Sequence, residues 1–428
     1  MKSTKFSLCK TLQYTATVLL SSLAGLGLLE FAIAYGLIPG TPIVIQFGDQ
    51  LGTPNFGPKR VIQLRMHSPN TLSRYTPDAA YLARTDNLEV REYVSETDEK
   101  GFYKPGRVHA RPDVVILFLG GSTTENFFMN AEQRFPHATA HILEQRTQLR
   151  INGINAGMSG NVTMHSVNNL LNFGLDERPQ IAVLMENIND YAVLYHERTY
   201  WNSHPDRALI KEEWIAQTEA QISGVPVRSR AIRGFWNSLL ALTIPNVSVR
   251  LHLFAPVNNN LPVQRQFGDE DQRRRWSEVK PFDLDRIAED FSRALSTFVF
   301  VARAWDVQPV LMTQPNRWPT ELGNNPPNSV RNFLFRKGIA SIDYSQFKLG
   351  YDRMNDEIRI VAKRLNVPLI DLAAEISPAA EKFHDTIHLT GNGSVEAAGI
   401  IADYLAKFFD LKRLAEERHA RAPQRQNR

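Results

Sequence analysis

The stretch VVILFLGGSTTENF, residues 114–127, opens with six apolar residues in a row, Val114 to Leu119, and then breaks at Gly120, Gly121 and Ser122. An unbroken apolar run of this length suits a parallel strand covered on both faces. The turn after it has three readings: a phosphate cradle, a plain tight turn, or a mount that holds Ser122 out as a nucleophile. Working outward, the pattern alternates. A helical stretch near 136–148 is followed by strand 149–155, a helix around 166–173 and strand 181–186. After an interruption come helix 283–305, strand 308–313, helix 349–365, strand 368–372 and helix 394–410. Short apolar strands separated by helices predict an α/β fold, a three-layer α/β/α sandwich around a five-stranded parallel sheet. Such sheets bind ligands beyond the carboxyl ends of their strands. That rule sends Ser122, NAGMSGN (155–161), ENINDY (186–191) and HDTIHLTGNG (384–393) to one rim.

The rest of the 428-residue chain divides around this core. Residues 1–11 are expected to be cytoplasmic and 12–38 to form a transmembrane signal anchor. The run from Leu12 to Ile38 is long enough to span a bilayer, and Lys2, Lys5 and Lys10 precede it. The positive-inside rule then puts the bulk of the chain outside the cytoplasm, in a periplasmic space. Ala32-x-Ala34 offers the alternative of a cleaved signal peptide and a secreted domain. Residues 39–110, rich in Pro and Gly, read as a linker and an N-terminal extension lying on the main domain. The main domain covers 111–411. Within it, 198–280 breaks the alternation, carries Trp201, Trp214, Trp236 and Trp276, and reads as an inserted cap. Residues 412–428 read as a basic flexible tail. The net charge of +4 hides an asymmetry: the first 38 residues carry +2 and the tail +4, which leaves the middle at −2. That balance argues against nucleic-acid binding. The single cysteine, Cys9, leaves no disulfide framework or cysteine-based zinc site in the body of the chain.

Acyl transfer needs a nucleophile, a base, a group to orient the base, and donors for the oxyanion. A serine hydroxyl is barely ionised near neutral pH, so Ser122 needs an imidazole. His388 can supply it, and Asp385, three residues earlier, can hold the productive tautomer. The N–H groups of Ser122 and Gly160 and the side-chain amide of Asn189 are the candidate oxyanion donors. Gly121, Glu125 and Asn187 are candidates for the substrate pocket, and Glu125 could equally favour the start of the following helix. His384 is expected to be exposed. No G-x-S-x-G, Walker A or G-x-G-x-x-G pattern follows a strand, so neither a strained nucleophile elbow nor a nucleotide site is indicated. His137 and His141 share a helix face but lack a glutamate and a third ligand, so no metal or other cofactor is expected.

With these blocks in order, the chain resembles the SGNH (GDSL-type) hydrolase superfamily. GGSTTE is similar to the serine block with glycine in place of the aspartate of G-D-S. NAGMSGN is similar to the glycine block, NIND to the G-x-N-D block with Asn187 in place of glycine, and DTIH to the D-x-x-H block. The resemblance spans about 112 to 410 and implies a flavodoxin-like sheet. It also implies a Ser122–His388–Asp385 triad and oxyanion roles for Gly160 and Asn189. It further implies a serine esterase acting on O-acyl, chiefly O-acetyl, esters. The anchored, outward-facing architecture adds an acylated envelope or exported glycan as the substrate. The alternatives are a polysaccharide O-acetyltransferase with the same triad, or an inactive glycan-binding scaffold.

Overall fold

The computed structural model describes residues 59–202, 207–213, 282–323, 327, 329–331 and 343–421, with part of 14–37. In chain order the strands are β1 (Lys59–Ile62), β2 (Leu72–Tyr75), β3 (Tyr93–Glu96), β4 (Val114–Gly120), β5 (Ile151–Asn155), β6 (Ile181–Met185), β7 (Ile210–Glu213), β8 (Gln308–Met312) and β9 (Leu369–Ile370). The helices used below are α1 (Ser122–Glu125), α2 (Phe135–Thr147), α3 (Thr163–Asn169), α4 (Ile188–His196), α5 (Leu284–Ala304), α6 (Tyr344–Arg364), α7 (Gly391–Phe408) and α8 (Leu411–Arg421). The chain forms two compact units, one of Met1–Val61 with Ile210–Phe267 and one of Ile62–Leu209 with Gly268–Arg428. β1 and β7 pair in a two-stranded sheet.

The larger unit is built on a five-stranded sheet in the order β5-β4-β6-β8-β9, with every neighbouring pair parallel. In order of appearance this is 2-1-3-4-5, the flavodoxin-like arrangement. Period-2 alternation explains the layering. Val115, Leu117 and Leu119 of β4 enter one apolar cluster with side chains of α3, α4, α5 and α6. Val114, Ile116 and Phe118 enter the other, with side chains of α2, α7 and α8. Neither face of β4 meets water, which is why its sequence shows no polar alternation.

Local signals place the helices. Asp283 caps α5 by accepting the Arg286 N–H at 3.2 Å, and Asp343 caps α6 through the Ser345 N–H at 2.7 Å. Thr390 caps α7 through the Gly393 N–H at 3.2 Å and so ends the loop that carries His388. The N-terminal extension has structure of its own: β2 and β3 form an antiparallel pair, and Tyr103 bridges onto Asn155 of β5.

The start of the expected flexible tail is instead helix α8. Leu411, Leu414 and Ala415 are buried there, Arg418 donates to the Arg178 carbonyl at 2.6 Å, and His419 lies 3.0 Å from Asp113. The apolar face outweighs the charge of the segment, and only 422–428 lie outside the described residues. Described positions from Tyr14 to Ala32 are helical. Among the described residues no helix is long and apolar enough to cross a membrane, and, Leu37 apart, the rest of the expected 12–38 span lies outside them. Most of the expected cap, from 214 on, also lies outside the described residues; Trp201 is described and is 66% exposed.

Phe118 is fully buried, packed edge-on to Phe135 at 5.8 Å, in the strand that ends at Gly120, two residues before Ser122. Phe118→Ala should lower unfolding free energy by about 3–5 kcal/mol. Chemical denaturation monitored by circular dichroism checks this; a loss below about 1 kcal/mol would mean the site can collapse around the missing ring.

Candidate active site

The chain leaves β4 toward β5 on one side and later returns to β6 on the other, so a crevice opens at the carboxyl end of β4. Ser122 is the first residue of α1 at that point. Gly121 precedes it, and a Cβ there would lie 2.6 Å from Nδ2 of Asn189. Only glycine lets the Asn189 amide come so close to the turn. Asn189, at the start of α4, donates through Nδ2 to the Asn161 carbonyl at 2.9 Å. The 156–161 loop is tied to the same strand end, since the Met158 N–H donates to the Gly120 carbonyl at 3.1 Å.

His388 reaches this turn from 266 residues downstream, with Nε2 2.8 Å from Ser122 Oγ. Its Nδ1 lies 2.6 Å from Asp385 Oδ2. Asp385 Oδ1 accepts the N–H groups of Ile387 at 2.9 Å and His388 at 2.8 Å. An Nδ1–H donated to Asp385 leaves the Nε2 lone pair facing the serine hydroxyl. Burial by itself would raise the Asp385 pKa, but the adjacent His388 and the loop N–H groups outweigh it and hold the carboxyl well below the usual range. The arrangement can accept a proton from Ser122 and stabilise the resulting imidazolium.

Two further carboxyls lie behind the turn. Glu186 and Asp190 are buried, and burial raises both pKa values. Glu186 accepts the Ser166 hydroxyl at 3.0 Å. Asp190 accepts the Tyr200 hydroxyl at 2.6 Å and the Thr163 N–H at 3.0 Å, which anchors the start of α3.

The structure brings together Ser122, Asp385, His388, Gly121 and Asn189, and puts Gly160 on the adjoining loop. It places two other candidates elsewhere. Asn187 is fully buried and turned away from the crevice, donating to the Tyr351 carbonyl at 3.2 Å and Asn355 Oδ1 at 2.9 Å. An amide gains more from those acceptors on α6 than glycine could. Glu125 is buried too, accepting the Tyr103 hydroxyl at 2.6 Å, the Ser159 N–H at 2.7 Å and the Ser159 hydroxyl. It braces the glycine-bearing loop and does not line a pocket. His384, expected to be exposed, is 3% exposed; its ring lies parallel to that of His388 at 5.4 Å, with Phe128 edge-on. Burial pushes its pKa down to about 4.

Donor atoms of His384, Asp385 and His388 lie within 4.8 Å of one another, the one convergent set of this kind among the described residues. His388 and Asp385 already use theirs on each other and on Ser122, while neither ring nitrogen of His384 has a hydrogen-bond partner, so the proton path runs through His388 and Asp385 alone. Sequence reasoning missed Arg65 altogether. Its Nη2 donates to the Ser159 carbonyl at 2.6 Å and its Nε to Asn161 Oδ1 at 2.9 Å, from a segment with no periodicity to flag it.

No protein-family model matches the chain, and no curated protein matches it. Among solved structures it is similar to a lipase/acylhydrolase from Enterococcus faecalis, at 13% identity and a TM-score of 0.37, covering 69% of this chain and 96% of that one. It is similar to an acetylxylan esterase from Geobacillus stearothermophilus, at 14% identity and a TM-score of 0.34, covering 70% and 95%. A GDSL-like lipase from Bacteroides thetaiotaomicron gives 11% identity and a TM-score of 0.34, covering 71% and 95%. Scores this low add nothing to what the sheet order and the site distances establish.

The buried carboxyls yield a signed pH effect. A carboxyl whose pKa is raised by folding stabilises the fold below its unfolded pKa of about 4 and loses that contribution as pH rises through the folded value. Glu186→Gln, which mimics the protonated acid, should therefore flatten the fall in melting temperature between about pH 5 and pH 8. Thermal melts across that range check it; a slope identical to wild type would show that Glu186 is already ionised in the folded chain.

Proposed function

We infer that the chain is a serine esterase, and the observation that carries this is the continuous Asp385–His388–Ser122 hydrogen-bond chain of 2.6 and 2.8 Å at the carboxyl end of β4. The resemblance of its four blocks to SGNH hydrolases supports the same reading. Ser122 Oγ attacks the acyl carbonyl carbon while His388 Nε2 takes its proton. The N–H groups of Ser122 and Gly160 and the Asn189 amide receive the oxyanion. As the tetrahedral intermediate collapses, the C–O bond to the alcohol breaks and His388 returns the proton to the departing oxygen. Water, activated by the same imidazole, then releases the acid. Asp385 keeps the imidazole in the productive tautomer throughout.

The substrate we propose is an O-acylated, chiefly O-acetylated, envelope or exported glycan. Its support is the apolar run behind Lys2, Lys5 and Lys10, which would anchor the chain in a membrane with the main domain outside the cytoplasm.

Ser122→Ala and His388→Ala should abolish release of acetate from p-nitrophenyl acetate and from an acetylated glycan. Asp385→Asn should lower kcat by about 10⁴-fold through the wrong tautomer. Wild-type turnover in purified Ser122→Ala would sink the assignment. Acetate passing mainly to an added glycan hydroxyl, and not to water, would move it to acyl transfer.

A further inference from the structure

Of the three oxyanion donors assigned above, the Gly160 N–H is the one whose direction the backbone leaves open. Gly160 has φ +82°, and a glycine accommodates either orientation of the peptide before it at little cost. Something else must choose. In a planar trans peptide the C=O and the following N–H point in opposite directions. Whatever holds the Ser159 carbonyl therefore aims the Gly160 N–H.

Arg65 holds it. Its Nη2 donates to the Ser159 carbonyl at 2.6 Å, a charge-assisted bond. Its Nε donates to Asn161 Oδ1 at 2.9 Å, so one planar guanidinium spans the residues on either side of Gly160. Nη2 lies 3.2 Å from where a Cβ on Gly160 would stand. Arg65 is fixed in turn by its own carbonyl, which accepts Asn169 Nδ2 at 2.8 Å. Glu125 holds the preceding peptide through the Ser159 N–H.

We propose that Arg65 is a positioning residue that keeps the Ser159–Gly160 peptide oriented with its N–H toward the oxyanion. If that peptide flipped, the Ser159 oxygen would face the developing negative charge and one donor would be lost. This rests on the esterase reading, and it gives the segment before β2 a part in catalysis without contact to the substrate.

The test uses the full chain with p-nitrophenyl acetate, and Ser122→Ala as the inactive reference. Arg65→Ala should lower kcat by about 10- to 100-fold, somewhat less than outright removal of a donor. KM should change by less than about threefold, because the interaction matters in the transition state. The midpoint of the pH–rate profile should stay in place, since the triad is untouched. Affinity for a trifluoromethyl ketone, whose adduct carries the oxyanion, should fall by the same factor as kcat/KM. Arg65→Lys or added guanidinium ion should restore part of the loss. If Arg65→Ala does not fold, Arg65→Gln is read by the same criteria. A folded variant with kcat within about twofold of wild type, or a loss confined to KM, overturns the proposal. If wild type is no more active than Ser122→Ala, the esterase reading itself fails and the proposal falls with it.

Discussion

Val114 to Leu119 send side chains alternately into two apolar layers, and this double burial requires helices on both faces of the sheet, in which β4 lies between β5 and β6. Everything functional follows from that position. An interior strand has a neighbour on each side, and the first strand of the sheet acquires them by sending the chain one way to β5 and later the other way to β6. The helices that follow diverge, and the strand end between them is left open. Ser122 stands there because the apolar run stops at Gly120 and a short helix begins.

The four carboxyls around the site show how environment divides one chemistry into distinct roles. Asp385 is held ionised by an imidazole and two N–H groups, so it can orient His388 and offset its charge. At buried Glu186 and Asp190 the loss of solvation dominates, outweighing the opposing charge of Arg65 on Glu186, so both shift toward the neutral form. Glu125, bonded to a phenol and to the Ser159 N–H and hydroxyl, braces a loop. The parallel ring of His384, kept neutral by burial, adds a wall behind His388 without adding charge.

The N-terminal extension is more than a covering. Tyr103 pairs with the end of β5 and donates to Glu125, and the Arg134 guanidinium lies 4.6 Å over its ring. Arg65 and Glu125 grip the two sides of Ser159, one from the extension and one from α1, the short helix that begins at Ser122. The loop bearing Gly160 is thus held by groups that are remote in sequence and close in space.

Strand identities and the layered fold were legible because burial on both faces leaves apolar runs, and helix caps such as Asp343 and Thr390 leave local marks. The meeting of Ser122, His388 and Asp385 was legible because residue types in that order at strand ends are sent to one rim of the sheet. Asn187 misled because its position in the motif says nothing of where its side chain turns, and acceptors on α6 decided that. His384 and the 412–421 segment misled because polarity alone does not reveal a ring stacked against a neighbour or an apolar helix face. The sequence by itself determined the strands and main helices of the five-stranded sheet domain and singled out Ser122, His388 and Asp385 as candidates, since both depend on short-range pattern and residue type. Only the tertiary structure decided which side chains brace the site, because the grip of Arg65 and Glu125 on Ser159 depends on distances between segments with no shared period, spacing or motif.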